Sequence, residues 1–203
     1  ASALNLAAGA FGDAGVAAMS IVGRVMMMTS AAMIGIGQGY QPVLGYNWGA
    51  RQYARVLKAL DATLVMAVFL MTTLGALGFL FAPEVVGFFR TNDAAVLSIG
   101  AEALMLQCLV APIVPVNVIG NMTYQVLGRA GIATFLASTR QGIFFLPIIL
   151  TLPNLWGLRG LEAAQPLAEV LSFAVCAFFV LRFRREAKRL AADPGAQDAQ
   201  RRR

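Results

Sequence analysis

Ala62-Thr-Leu-Val-Met-Ala-Val-Phe-Leu-Met-Thr-Thr-Leu-Gly-Ala-Leu-Gly-Phe-Leu-Phe-Ala-Pro83 runs for twenty-two residues without a charge, and it decides the fold class. A bilayer core of roughly 30 Å takes about 20 apolar residues in a helix rising 1.5 Å per residue. Apolar side chains occupy every side of this run, whereas membrane strands alternate over about ten residues between turns. Four more runs of suitable length follow the same logic. Val25–Ala50, Ala103–Gly128 and Gln141–Leu158 carry no charge, and Ala163–Leu181 is interrupted only by Glu169. The expected architecture is therefore an all-α membrane protein, a polytopic bundle of five full spans. The apolar opening, Ala1–Ala10, has no basic residue before it and so does not read as a signal peptide. It reads as the end of a sixth helix, in a chain that is part of a longer one.

Composition agrees. Only 13% of the 203 residues are charged and 59% are hydrophobic, about half the charge that a soluble surface carries. The mean hydropathy of +0.71 excludes a disordered chain, and two cysteines cannot make a disulfide framework. A net charge of +6 suggests nucleic acid until the cations are placed. Eight of the sixteen basic residues fall between Arg182 and Arg203 and the others are scattered between apolar runs, the pattern of basic flanks on membrane spans. No nucleic-acid partner is expected. Histidine is absent, which removes the residue most used in zinc ligation and acid-base catalysis, and no metal site is expected.

The short connectors test the span count. With alternating sides, Arg51, Arg55, Lys58, Arg129, Arg140 and the basic tail collect on one side, and Arg90 and Arg159 on the other. By the positive-inside rule the first side is cytoplasmic. The expected organisation is one transmembrane lobe over residues 1–183 and a basic cytoplasmic tail over 184–203, disordered after Asp193-Pro194-Gly195.

Polar atoms inside the runs are the candidate pathway, because an unsatisfied polar group in hydrocarbon costs several kcal/mol. The first run contains Gln38 and Gln41, with Arg24 just before it, and Gly35-Ile-Gly-Gln-Gly-Tyr-Gln-Pro42 predicts a broken or tightly packed helix. The third contains Gln107 and a stripe of Asn117, Asn121 and Gln125 spaced by four, on one helix face. That stripe lines a wet pathway or serves as interhelical hydrogen-bond glue. Glu169 lies nine residues beyond Gly160, about 13 Å deep, and a carboxylate at that depth marks an ion or proton pathway or a structural pair with an intramembrane Arg such as Arg24. Glu102 reads as a solvated helix start and Asp61 as solvated at a cytoplasmic end. Cys108 and Cys176 need no role beyond small apolar packing.

Gly12-Asp-Ala-Gly-Val-Ala-Ala-Met-Ser-Ile21, followed by Gln41-Pro42-Val-Leu-Gly45-Tyr46-Asn47-Trp-Gly49-Ala50, resembles the C-terminal half of multidrug and toxic compound extrusion (MATE) transporters. Tyr124-Gln-Val-Leu-Gly128, Ser138-Thr-Arg140-Gln141, Pro147 and Gly157-Leu-Arg-Gly160 are similar to later landmarks of that half, and the likeness runs from about Asn5 to Leu181. The resemblance implies a twelve-helix fold in two bundles of six, with this chain supplying the end of helix seven and helices eight to twelve. It also implies a plasma-membrane protein, the bacterial inner membrane in this family, that exports cationic or amphipathic compounds in exchange for Na⁺ or H⁺. No cofactor is implied beyond that coupling ion; the partners are the small-molecule substrate, the lipid bilayer and the N-terminal lobe. The third span departs from some relatives in lacking a deep aspartate. A flippase for lipid-linked saccharides in the same superfamily is the rival, but it calls for a more basic cavity than Arg24 and Arg140 provide. A membrane-embedded enzyme would need a nucleophile with its base or paired acids at depth, and Glu102 with Glu169 is the only pair the sequence offers.

Overall fold

The computed structural model describes residues 12–89 and 93–193, and the regular elements among them are helical. In chain order they are α1 (Gly12–Gly49), α2 (Tyr53–Leu80), the short α3 (Ala82–Phe89) and α4 (Ala94–Val110). A 3₁₀ turn (Ala111–Ile113) leads into α5 (Val114–Val126), then α6 (Ala130–Ser138), a π-turn (Thr139–Ile143) and α7 (Phe145–Ala192). The expected helix end at residues 1–10, Arg90 in its loop and the tail beyond Asp193 lie outside the described residues.

Four stretches are long and apolar enough to cross a bilayer: Ala14–Gly49, Tyr53–Leu80, Ala94–Val126 and Phe145–Ala192. The last has 48 residues, about 72 Å if straight, but it is not straight. Gly157 takes φ 59° and ψ −136°, a region essentially reserved for glycine, and splits α7 into legs 145–156 and 158–192. The legs then touch backbone to backbone, since a Cβ on Gly160 would sit 2.2 Å from the Leu152 carbonyl oxygen. They overlap the runs expected at Gln141–Leu158 and Ala163–Leu181, the first leg being shorter than its run and the second longer. Helix continues to Ala192, as the basic, helix-compatible sequence after Arg184 allows.

Local chemistry sets the other breaks. Asp93 caps α4, its Oδ1 accepting from the backbone N–H of Ala95 at 3.1 Å and of Val96 at 3.3 Å. Pro112 and Pro115 take early positions in the 3₁₀ turn and α5, where a missing N–H is tolerated. At the end of α5, Gly128 adopts φ 68°, its N–H bonds to Gln125 O, and Arg129 N–H reaches Tyr124 O at 3.0 Å, a Schellman stop. The third run therefore starts earlier than Ala103, so Glu102 is an exposed residue two turns inside α4 rather than its start.

The Gly35–Pro42 stretch does not break α1. The helix runs through Pro42 to Gly49; Gly37 and, beyond the stretch, Gly45 serve close packing, while Gly35 and Gly39 are exposed. A Cβ on Gly37 would fall 2.2 Å from Met122 Sδ, and one on Gly45 would meet Val126 Cγ1 at 3.2 Å. Of the two outcomes expected there, tight packing is the one found.

Helix α1 packs on α2, α4 and α5, while α5 packs on α7. Two apolar clusters result. One gathers Ala18, Val22, Val86, Leu104, Ile149 and Leu161 at the end carrying α3 and the Gly157 turn. The other gathers Leu44, Leu60, Ile119, Leu136, Val180 and Phe183 at the end carrying the Arg51 and Arg129 turns. Val65, Met66 and Phe69 on α2, and Val170, Leu171 and Phe178 on α7, are exposed, as faces toward lipid must be.

Candidate intramembrane polar site

Between the two clusters lies a polar layer. Along α1 it falls at Thr29 and Ser30, on α4 at Gln107, on α5 at Asn117, on the π-turn at Arg140 and on α7 at Gln165, Glu169 and Ser172. Gln107, Asn117, Glu169 and Ser172 are buried.

Glu169 organises the layer. Its Oε1 accepts from Arg140 Nε at 2.6 Å, and its Oε2 accepts from Asn117 Nδ2 at 2.9 Å. The same amide nitrogen also donates to the Glu169 backbone oxygen at 3.3 Å. The Glu169 side chain is 6% exposed and that of Arg140 30%. A buried charge needs this kind of pairing, because burial without a partner costs several kcal/mol per ion.

Two cavities adjoin the pair. A small one of about 60 Å³ lies on the α1, α2 and α4 side and is lined by Thr29, Ser30, Gln107, Arg140, Gln165 and Glu169. A larger one of about 150 Å³ is lined by Asn117, Asn121, Gln125, Arg140, Ser172 and Cys176. Arg140 faces both. Asn117 Oδ1 and Ser172 Oγ are buried and have no hydrogen-bond partner among the described residues.

The Asn117, Asn121, Gln125 stripe thus borders a cavity, and Gln125 Nε2 donates to Asn121 Oδ1 at 3.1 Å. The partner of Glu169 is Arg140, not Arg24, which is exposed on α1 well before the layer. Arg140 is also not a loop cation. The helical run starts at Ala130, ten residues earlier and about 15 Å away at helical rise, so Arg140 leaves the set of connector charges. Asp61 is likewise paired, with Arg184 Nη2 at 2.8 Å from its Oδ1.

The Gln-Pro-x-x-Gly-Tyr-Asn-x-Gly-Ala segment builds a helix terminus. Asn47 Nδ2 donates to Val43 O at 2.7 Å, Ala50 N–H to Tyr46 O, and Gln52 N–H to Asn47 O at 2.8 Å. Trp48 stacks edge-on against Tyr53 and lies beside Phe183. Pro42, Tyr46 and Gly49 are exposed, as is Gln38, while Gln41 is half-buried; none of them reaches Glu169. Gln141 lies on the π-turn, its side chain outside what the structure describes.

Four residues of the layer are not evident from charge or run length: Thr29, Ser30, Gln165 and Ser172. For two of them a signal exists, since Gln165 and Ser172 stand four before and three after Glu169, on one helix face. Glu162 is a further buried acid, 2% exposed, within electrostatic range of Glu102 and Arg159. It lies at the Gly157 end, so the acid that Glu102 approaches is Glu162 rather than Glu169.

Residues 2–150 match the MatE family. The chain belongs to the MATE transporter family. Multidrug export protein MepA of Staphylococcus saprophyticus is 25% identical over 193 residues, 94% of this chain and 41% of that protein. A MATE-family multidrug resistance transporter of the MOP superfamily, solved outward-facing, superposes with a TM-score of 0.82 at 20% identity over 94% of this chain and 43% of its own. The MATE multidrug transporter DinF-BH, solved as a complex, is 34% identical, with a TM-score of 0.74 over 83% of this chain and 37% of its own. The chain thus spans about two fifths of the length of these relatives. MATE proteins are multi-pass membrane transporters, not enzymes.

Proposed function

We propose that this chain is the C-terminal lobe of a twelve-helix transporter that exports cationic or amphipathic compounds in exchange for Na⁺ or H⁺. The observation that carries the reading is the Arg140–Glu169–Asn117 cluster, an ion pair flanked by cavities in a layer between apolar clusters. Ionisable groups placed so deep in spanning helices mark ion and substrate paths. Glu169 is the group that senses the coupling ion. The lobe sits in the plasma membrane with its basic C-terminal helix end in the cytoplasm, and the N-terminal lobe completes the cavity against the exposed Gly35, Gln38 and Pro42 face of α1.

The saccharide-flippase reading is weaker on this geometry, because Arg140, the cation of the layer, is already neutralised by Glu169. The test is efflux of a fluorescent cation from cells expressing the full-length protein, with Na⁺ and pH varied separately. Efflux that depends on one gradient is expected; dependence on neither overturns the antiporter reading.

A further inference from the structure

The polar layer holds two alternative sets of partners for one guanidinium. In the structure Arg140 Nε donates to Glu169. Asn117 and Ser172 belong to the lining of the cavity that Arg140 also lines, and their Oδ1 and Oγ are buried without a hydrogen-bond partner among the described residues. A hydrogen bond to a buried acceptor is worth about 1–3 kcal/mol, so a donor that reaches these two groups gains by it. Ser172 lies three residues after Glu169, one helical turn along the same face, with Cβ atoms roughly 5–6 Å apart. Asn117 Oδ1 belongs to the amide that already holds Glu169. Asn117, Ser172 and Arg140 line one cavity, so both groups lie beside the ion pair.

Its backbone support is also unusual. Arg140 sits in the π-turn Thr139–Ile143, and single π-turns inside α-helices are frequent at functional sites. The small cavity on the other side of the pair, with Thr29, Ser30, Gln107 and Gln165, gives a second cation access to the carboxylate.

We propose that Arg140 is a tethered competitor for the coupling cation: H⁺ or Na⁺ arriving at Glu169 displaces its guanidinium to Asn117 Oδ1 and Ser172 Oγ, and departure of the ion returns it. This rests on the antiporter reading and adds the device that exchanges one positive charge for another. The groups facing Glu169 are few. The π-turn brings Arg140, α5 brings Asn117, and α7 itself brings Gln165, Ser172 and the Cys176 thiol. Around the small cavity α4 brings Gln107 and the Cys108 thiol, α1 brings Thr29 and Ser30, and α2 brings Met71, Leu74, Gly75 and Gly78, none of them charged.

The test uses the full-length transporter in proteoliposomes, with ethidium as transported probe, and reads the H⁺ or Na⁺ concentration for half-maximal exchange. A hydrogen bond to a charged group is worth about tenfold or more in an equilibrium. Arg140→Gln is therefore expected to need about tenfold or more less coupling cation, and Arg140→Lys to stay near wild type. Ser172→Ala leaves the resting pair intact but removes a landing acceptor, so it is expected to need roughly five- to tenfold more cation. A purely structural ion pair would not move the two midpoints in opposite directions. If Arg140→Gln fails to fold, Ser172→Ala decides alone. A Ser172→Ala midpoint within about twofold of wild type, or one shifted in the same direction as Arg140→Gln, overturns the switch while leaving antiport standing. Wild-type exchange insensitive to both H⁺ and Na⁺ removes antiport and the switch together.

Discussion

Replacing Gly160 with Ala is expected to destabilise the α7 hairpin more than any other glycine-to-alanine change that keeps the backbone in an ordinary region. The new Cβ would stand 2.2 Å from Leu152 O, 2.6 Å from Leu152 C and 3.0 Å from Pro153 N. Ordinary contact begins near 3.4 Å, so the legs must separate by about 1.2 Å. All three obstructing atoms are backbone, and no rotamer change relieves them. Overpacking costs about 1–3 kcal/mol, and a rigid obstruction belongs at the upper end, near 3 kcal/mol. At roughly 2–4 °C per kcal/mol for a unit of this size, the thermal midpoint of the detergent-purified full-length protein should fall by about 6–12 °C. Gly131→Ala is the control. Gly131 is in α6 and its Cβ would meet nothing within 4 Å, so helix propensity predicts no loss and a gain of up to about 1 kcal/mol. A Gly160→Ala midpoint within about 1–2 °C of wild type, or an equal fall in Gly131→Ala, would refute the reasoning that these legs meet at their backbones.

Asp93→Ala removes the cap on α4 and should cost about 1 kcal/mol, with Asp93→Asn nearly restoring it in the same thermal assay. At the end of α5, Arg129 Nη1 donates to Glu186 Oε2 at 2.7 Å and Nη2 to Oε1, beyond the bilayer-crossing part of α7. The Arg129 hydrogen bond holds the Glu186 carboxyl below its ordinary range. A lowered folded pKa stabilises above the unfolded value and is lost as pH falls through the folded one. Wild type should therefore exceed Glu186→Gln by at most about 1 kcal/mol at neutral pH, given that both side chains are about one third exposed. The two should converge in acid below the usual glutamate range. In the layer, Arg140→Gln strands the buried Glu169 carboxylate and should cost about 3–5 kcal/mol, Glu169→Gln leaves the part-exposed Arg140 and should cost less, and the double substitution should recover most of the Arg140→Gln loss; additive single losses in a double-mutant cycle would contradict the pairing.

How much of this was legible in the sequence follows from how far each signal reaches along the chain. Charge-free runs are local sums, and they located the helices because hydrocarbon demands internally bonded backbone. Turn chemistry is also local, as Gly128, Gly157 and Asp93 show. Helix ends were less legible. Arg140 ended a charge-free run and so read as a connector, yet helix α6 and the π-turn carry the chain past it without interruption. Pairing is not local at all. Arg140 and Glu169 are 29 residues apart and Asn117 and Glu169 are 52 apart, and nothing in either neighbourhood says that Arg24 is the wrong partner. Only the packing of α5 and the π-turn on α7 decides it.

The position of the layer explains how one lobe can contain a charged site and remain a stable membrane bundle. Each end is closed by its own apolar cluster, so the helices are fixed above and below the layer without help from it. What the layer must do is satisfy itself: each Glu169 carboxylate oxygen accepts a hydrogen bond, while Asn117 Oδ1 and Ser172 Oγ find no partner among the described residues. A site evolved only for stability would gain by replacing those two groups with apolar isosteres, since well-packed hydrocarbon is as good as or better than a half-satisfied polar network. Their position beside Arg140, in the lining of one cavity, is what supports the proposed transport role of the layer.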